Sequence, residues 1–376
     1  MTLPPPSTQP NPQALTSKHL SGKRILLTGA GGSIGSALAQ AIAASSPASL
    51  LLLDASEHAL YQIDRDLPTP HVSLLGSVCD PALLAEIFEL HQPEIVFHAA
   101  AFKHVPLLER QPFAAIANNV LGTYALLEAA TQHHAEHLVL VSTDKAVDPS
   151  SLMGASKRIA ELLLLASTST TRLTAVRLGN VLGSRGSVLP LFLDQIARSG
   201  PVTVTHPEAS RYFLSLDQCI EALLAALEPA VLEPAALEPQ PPSPLKKEII
   251  FLPHLNTPIR IADLARDLIA SHASSASLVF TQLRPGDKLE ESLLSPRESL
   301  LPETGNQKQT LTAISSPAPS AATLHAAMRT LQQAITNRDL PALLHTILQL
   351  VPEYTPSALL LEAARQSPRT LQEARA

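Results

Sequence analysis

Four residues, Ser142, Thr143, Asp144 and Lys145, directly follow the apolar run Leu138-Val139-Leu140-Val141. A strand that ends in two hydroxyls, an acid and an amine serves poorly as core and well as a reaction centre. Side chains that alternate along a strand let Asp144 and Lys145 address two different atoms of one substrate, one giving and one taking a proton. The competing reading is a solvated loop pair, because exposed Asp-Lys neighbours are common and nearly neutral in energy.

Other candidate groups are spread along the chain. Small residues in Phe97-His98-Ala99-Ala100-Ala101 permit close approach of a ligand after a strand, and Lys103 or His104 can face it, whereas His98 reads as a core residue. Arg177, Arg211 and Arg284 stand near expected strand or loop ends and together could clamp a diphosphate bidentately. His133, His134 and His137 have a helical spacing that a metal could use, but no carboxylate partner is evident, so they read as a surface helix end and no metal is assigned.

The elements that must position these groups follow in order. Arg24 to Leu27 reads as a strand, Gly29-Ala30-Gly31-Gly32-Ser33-Ile34-Gly35 as a glycine turn, and Ala37 to Ala44 as a helix. The next strand, Leu50 to Leu53, ends at Asp54, nineteen residues beyond Gly35. Glycines that admit a pyrophosphate at a helix N-terminus, followed by a carboxylate placed for ribose hydroxyls, predict a dinucleotide site. Three more pairs follow: His71 to Leu75 with Pro81 to Leu90, Glu94 to His98 with Phe113 to Thr131, and His137 to Thr143 with Leu152 to Ala166. This alternation predicts an α/β fold, a Rossmann-type doubly wound parallel sheet with its ligands beyond the strand C-termini. Gly29, Asp54, Ser77, Ala99 and Thr143 then share one crevice.

Domain expectations are a disordered tail over 1–20, a dinucleotide domain over 21–185, and a smaller substrate-binding lobe over 186–300. Leu-Glu-Pro recurs at Leu227, Leu232 and Leu237, which predicts a low-complexity insertion over 227–247. A strand at Glu248 to Leu252 and helices at Ile261 to Ser271 and Ala321 to Ile335 are expected. The remainder, 301–376, reads as a linker, with Pro302 to Pro319 flexible, and a helical C-terminal extension.

Composition narrows the function classes. The 376 residues are 45% apolar, with no Trp, 3% aromatics and 33 Pro, so aliphatic side chains must fill the core. A net charge of -6 without a long basic block argues against nucleic acid or anionic lipid as the main partner. Cys79 and Cys219 suit neither a disulfide framework nor a zinc site, so a reducing, cytoplasmic setting is expected. Neither a signal peptide nor a run of about 18 apolar residues is present, so no membrane span is expected.

Several motifs together resemble a known family. They are Thr28 to Gly35, His98-Ala99-Ala100-Ala101-Phe102-Lys103-His104-Val105-Pro106, Val141 to Val147, Met153-Gly154-Ala155-Ser156-Lys157, and Arg177-Leu178-Gly179-Asn180 continuing to Ser184. Gly200 to Pro207, Ser210-Arg211-Tyr212-Phe213, Leu283 to Leu289 and Val351-Pro352-Glu353-Tyr354 extend them. The pattern resembles extended short-chain dehydrogenases of the polysaccharide-biosynthesis, CapD-type group, which includes UDP-N-acetylglucosamine 4,6-dehydratases, and it covers roughly residues 21 to 354. The resemblance implies NAD or NADP held by Gly29, Gly31, Gly32, Ser33, Ile34, Gly35, Asp54, Ser77, Ala99, Ala100, Ala101, Asn119 and Lys157, with Lys157 on the nicotinamide ribose. It further implies a UDP-sugar bound through Lys103, His104, Arg177, Asn180, Arg211 and Arg284, and a homo-oligomer. In the implied reaction Thr143 bonds the reacting hydroxyl, Lys145 removes the C5 proton and Asp144 protonates the departing C6 hydroxyl.

One position departs from the usual site. Short-chain dehydrogenases generally carry a tyrosine four residues before the lysine; here that place holds Met153, as in one branch of the resembled group. Ala55, where the group often has Arg, removes one contact to a 2′-phosphate and weakens the case for NADP. Two other readings stay open: a nucleotide-sugar C4 epimerase, and a non-catalytic dinucleotide-binding regulator.

Overall fold

The computed structural model describes residue 15 and residues 17–228, 248–301 and 311–366. The sequence expectations for residues 1–14, 16, 229–247, 302–310 and 367–376 lie outside these. From the N-terminus run β1 (Arg24–Thr28), α1 (Ser33–Ala44), β2 (Ser49–Asp54), α2 (Glu57–Asp66), β3 (Val72–Leu75), α3 (Pro81–His91) and β4 (Ile95–His98). Next come α4 (Val105–Leu108), α5 (Pro112–Ile116), α6 (Gly122–Gln132), β5 (His137–Thr143), α7 (Leu152–Leu165), β6 (Arg172–Leu178) and β7 (Asn180–Val181). Then follow α8 (Val188–Ala197), β8 (Val202–Val204), β9 (Ser210–Arg211), β10 (Phe213–Leu214), α9 (Leu216–Ala225), β11 (Glu248–Pro253), β12 (Ile259–Arg260) and α10 (Ile261–Ser271). The described chain ends with β13 (Leu278–Phe280), β14 (Ser299–Leu300), β15 (Leu311–Ser315), α11 (Ala321–Thr336), α12 (Leu340–Leu350) and α13 (Ala358–Arg365).

Nine strands form one sheet in the order β14-β15-β11-β6-β5-β4-β1-β2-β3. From β3 to β11 every pair is parallel, and β15 and β14 add an antiparallel edge. The central strands are apolar on both faces, as a sheet covered by helices on each side requires. One apolar layer packs α1, α2 and α9 on one face; the other packs α3, α6, α7 and α11 to α13 on the opposite face. The strand order, not the strand direction, reverses between β1 and β4, so a crevice opens beyond their C-terminal ends.

Three boundaries differ from expectation. Leu15 and Leu20 are buried against the α1 layer and Ser17 N donates to Ser45 Oγ at 3.1 Å, so the expected 1–20 tail is anchored at its end. The helix expected from Phe113 to Thr131 contains a π turn, Ala117–Leu121, between α5 and α6. The substrate lobe is not one sequence block: β11 and β15 join the main sheet, and α9 packs on its face. A third apolar cluster, Phe192, Ile196, Val202, Val204, Ile261 and Leu264, holds the lobe together from α8, β8 and α10.

Candidate active site

The glycine turn between β1 and α1 is fixed by close backbone approach. Gly29 has φ +70°, and a Cβ there would lie 2.6 Å from Ala100 N, so only glycine fits. Asp54 closes the turn by accepting from Gly31 N at 2.9 Å and from Ser56 N at 2.8 Å. No side chain caps α1, and Gly32, Ser33, Ile34 and Gly35 line the cavity at its first turn. Free amides at a helix start favour an anion there. Ser77 lies past β3, where its Oγ accepts from Cys79 N at 3.1 Å, and Ala100 packs on Gly29; neither lines the main cavity.

At the tip of β5 the backbone turns. Thr143 is extended (φ -148°, ψ 154°), but Asp144–Ala146 is a 3₁₀ turn, so the strand alternation expected for Asp144 and Lys145 does not hold. Their side chains converge instead: Lys145 Nζ donates to Asp144 Oδ1 at 2.9 Å, and Thr143 Oγ1 donates to the same oxygen at 2.9 Å. Asp144 is fully enclosed and its Oδ2 has no hydrogen-bond partner among the described residues, whereas Thr143 and Lys145 line the cavity. Direct contact between Asp144 and a substrate, expected from the sequence, is therefore corrected. Its carboxylate communicates with the cavity through Thr143 and Lys145.

Helix α7 supports this turn from below. Ser151 Oγ caps it by accepting from Gly154 N at 3.1 Å, and a Cβ on Gly154 would meet the Lys145 carbonyl at 2.2 Å. Met153 and Lys157 face the cavity from α7. Lys157 is 5% exposed and has no hydrogen-bond acceptor among the described residues; burial, partly offset by Glu161, pushes its ammonium down to about 8. His98 is a core residue, between Thr28 Oγ1 at 2.8 Å and Thr123 Oγ1 at 2.9 Å, and burial pushes its imidazole down to about 3. His137 starts β5 rather than ending a helix, and its Nε2 meets Thr174 Oγ1 at 2.6 Å.

Beyond β6 the cavity is basic. Lys103, His104, Asn180, Arg211 and Arg284 all line it, and its volume is about 750 Å³. Asn180 Oδ1 accepts from Lys145 Nζ at 2.9 Å, so it orients the amine. Arg211 donates to the carbonyls of Ser210, Lys288 and Leu289, which fixes its fork at the lobe boundary. Arg284 pairs with Asp287 at 2.8 Å and stays 56% exposed.

Two expected contact residues lie elsewhere. Arg177 is fully buried on the far side of β6, where Glu161 and Glu298 take its guanidinium in four bonds of 2.7 to 2.9 Å. It cannot clamp a diphosphate, because consecutive residues of a strand face opposite ways and position 177 faces the core. Asn119 is 1% exposed on the π turn, bonded to Phe102 N, Phe102 O and Ser156 Oγ. It holds the loop after β4 to α7 rather than touching a ligand.

Glu291 escaped sequence reading. It lines the cavity with Oε1 3.9 Å from both Lys145 Nζ and Arg211 Nε, and Oε2 3.5 Å from Lys288 Nζ. Its only sequence signal is a place eight residues after Leu283 in a run that also supplies Arg284, and nothing there distinguishes it from Glu290. Among the described residues no His, Cys, Asp and Glu group could hold a metal ion. No helix among them is long and apolar enough to cross a membrane.

The doubly wound sheet, glycine turn and cavity at the strand tips together define an extended short-chain dehydrogenase architecture. The chain belongs to the polysaccharide biosynthesis protein family, which matches residues 25–313. The capsular polysaccharide biosynthesis protein CapD of Staphylococcus aureus is 40% identical over 76% of this chain and 47% of its own length. The chain thus spans about half the length of that curated relative. A UDP-glucose 4-epimerase of Rickettsia canadensis is 32% identical over 73% of this chain and 79% of its own. Among solved structures, Pen from Bacillus thuringiensis superposes with a TM-score of 0.68 at 26% identity, covering 80% of this chain and 90% of that one. The Thermus thermophilus UDP-glucose 4-epimerase, solved as a complex with NAD, gives a TM-score of 0.59 at 21% identity, covering 72% and 90%.

Proposed function

We propose that this chain is an NAD(P)-dependent nucleotide-sugar 4,6-dehydratase acting on a UDP-N-acetylhexosamine, with UDP-N-acetylglucosamine the expected substrate, in surface-glycan synthesis. The observation that carries this reading is the Thr143-Asp144-Lys145 cluster, where two cavity-lining groups converge on one enclosed carboxylate oxygen. Dehydration needs a base for one carbon-bound proton and a store for a second proton, and this cluster provides both. In this reading the Gly29–Gly35 turn, Asp54 and Lys157 hold the dinucleotide, whose nicotinamide would supply a hydride acceptor at C4 and a donor at C6.

The residues account for every proton. Thr143 Oγ1 takes the C4 hydroxyl proton as it passes its own to Asp144 Oδ1, which replaces the acceptor missing at Met153. Lys145, oriented by Asn180, removes the C5 proton. Asp144 returns its proton through Thr143 to the C6 hydroxyl, which leaves as water. Lys145 then gives its proton back to C5, leaving both side chains as they began. Arg211, Arg284, Lys103 and His104 engage the nucleotide end, and the closest phosphate partners are charge-assisted.

A C4 epimerase is the second reading, favoured by the named epimerase among the relatives. Incubation with UDP-N-acetylglucosamine in deuterated water separates them. A product lighter by one water and deuterated at C5 is expected; a C4 epimer without C5 deuterium or water loss would refute the dehydratase.

Lys157 gives the site a pH dependence. Its ammonium is held down to about 8, so it is charged below that pH and neutral above it. Ribose hydroxyls accept from the charged form, so NAD⁺ affinity is expected to fall as pH rises through about 8. Calorimetric titration from pH 7 to 9.5 tests this, and the Lys157→Met variant should bind weakly at every pH with no such decline.

A further inference from the structure

Leu182, Ser184, Arg185, Gly186 and Ser187 line the cavity in one short segment. Its Arg185 amide donates to Ser33 Oγ at 3.0 Å and its guanidinium to the Gly31 carbonyl at 3.2 Å, both on the glycine turn. The Arg185 carbonyl accepts from Lys103 Nζ at 2.8 Å on the other side. Glycines flank it: Gly183 has φ +71° and Gly186 φ +70°, and a Cβ on Gly186 would lie 2.7 Å from His104 Cε1.

We propose that Arg185 is a cofactor-binding residue: the segment lays its guanidinium over the dinucleotide's pyrophosphate, opposite the amides that open α1. This rests on the dinucleotide reading above. A single neutral carbonyl is a weak partner for an exposed guanidinium with five donors, and a phosphate offers a bidentate, charge-assisted one at the same place. The uncapped first turn of α1 attracts the same anion from below, so the pyrophosphate is gripped from two sides. A nucleotide sugar also carries a diphosphate, but the contacts to Gly31 and Ser33 put Arg185 on the dinucleotide's side of the cavity.

Calorimetric titration of the full chain with NAD⁺ and, separately, with UDP tests the assignment. Arg185→Ala is expected to weaken NAD⁺ about tenfold, the effect of one charge-assisted pair, and to leave UDP unchanged. Arg185→Lys should recover part of the loss, since charge remains without the fork. Equal NAD⁺ affinity in Arg185→Ala overturns the proposal, and so does a loss confined to UDP, which would move the contact to the substrate. If the unaltered chain binds neither NAD⁺ nor NADP⁺, the dinucleotide reading fails and the proposal with it.

Discussion

Lys145→Ala is expected to lower dehydratase turnover about 10³-fold, within the range that positioned acid-base groups contribute. The variant should bind NAD⁺ as the unaltered chain does, because the amine faces the substrate half and touches Asp144 and Asn180 rather than the glycine turn. In the proposed reaction the C5 proton is the one that Lys145 handles, so deuterium wash-in at C5 should vanish together with product. C4 oxidation would use Thr143 and Asp144 instead, and a single-turnover trace should still show NADH forming. Unchanged turnover in this variant, or loss of NADH formation with NAD⁺ affinity intact, would remove Lys145 from the role of C5 base.

Arg177→Met is expected to cost about 3–5 kcal/mol of stability, the usual penalty for leaving buried charges without their partner. Both Glu161 and Glu298 would lose the guanidinium that opposes them. Burial alone would raise the Glu161 carboxyl, but Arg177, Arg158 and the Ser142 hydroxyl hold it below its ordinary value. Glu298 is held down in the same way by Arg177 and Ser295 N. These carboxylates stabilise the fold when ionised, so that contribution is present above the ordinary glutamate range and fades as pH falls through their lowered values. Urea denaturation at pH 7 measures the loss. A variant as stable as the parent but with a raised KM for the UDP-sugar would restore Arg177 to the diphosphate.

The sheet was legible because its signal is local. Runs such as Leu50 to Leu53 and Leu138 to Val141 announce buried parallel strands, and the glycine turn with Asp54 needs only one strand-helix-strand unit. Directions of side chains were less legible. Arg177 and Asn180 lie three residues apart, yet one enters the core and the other the cavity, because β6 ends between them and β7 begins. Asp144 lost its direct role for a similar reason: a 3₁₀ turn at the strand tip replaced the alternation assumed for an extended chain. Glu291 depends on how the lobe folds back toward Lys145, a pairing across 146 positions that no local pattern encodes.

Behind Ser142, the buried charge cluster has a schedule built into it. Ser142 Oγ donates to Glu161 at 2.7 Å, Glu161 pairs with Arg177, and Arg177 meets Glu298, 121 residues later. Arg158 needs Ser316 and Glu353, which come 158 and 195 residues after it. A nascent chain therefore emerges with two arginines committed to partners not yet made, and closing loops of that length is slow. The glycine turn finds its contacts in Asp54 and the Ala100 backbone, whereas the buried charges behind the strand that ends in Thr143 are complete only with Glu353. The glycine turn is thus expected to settle early in folding, and the tip of the strand that ends in Thr143 late.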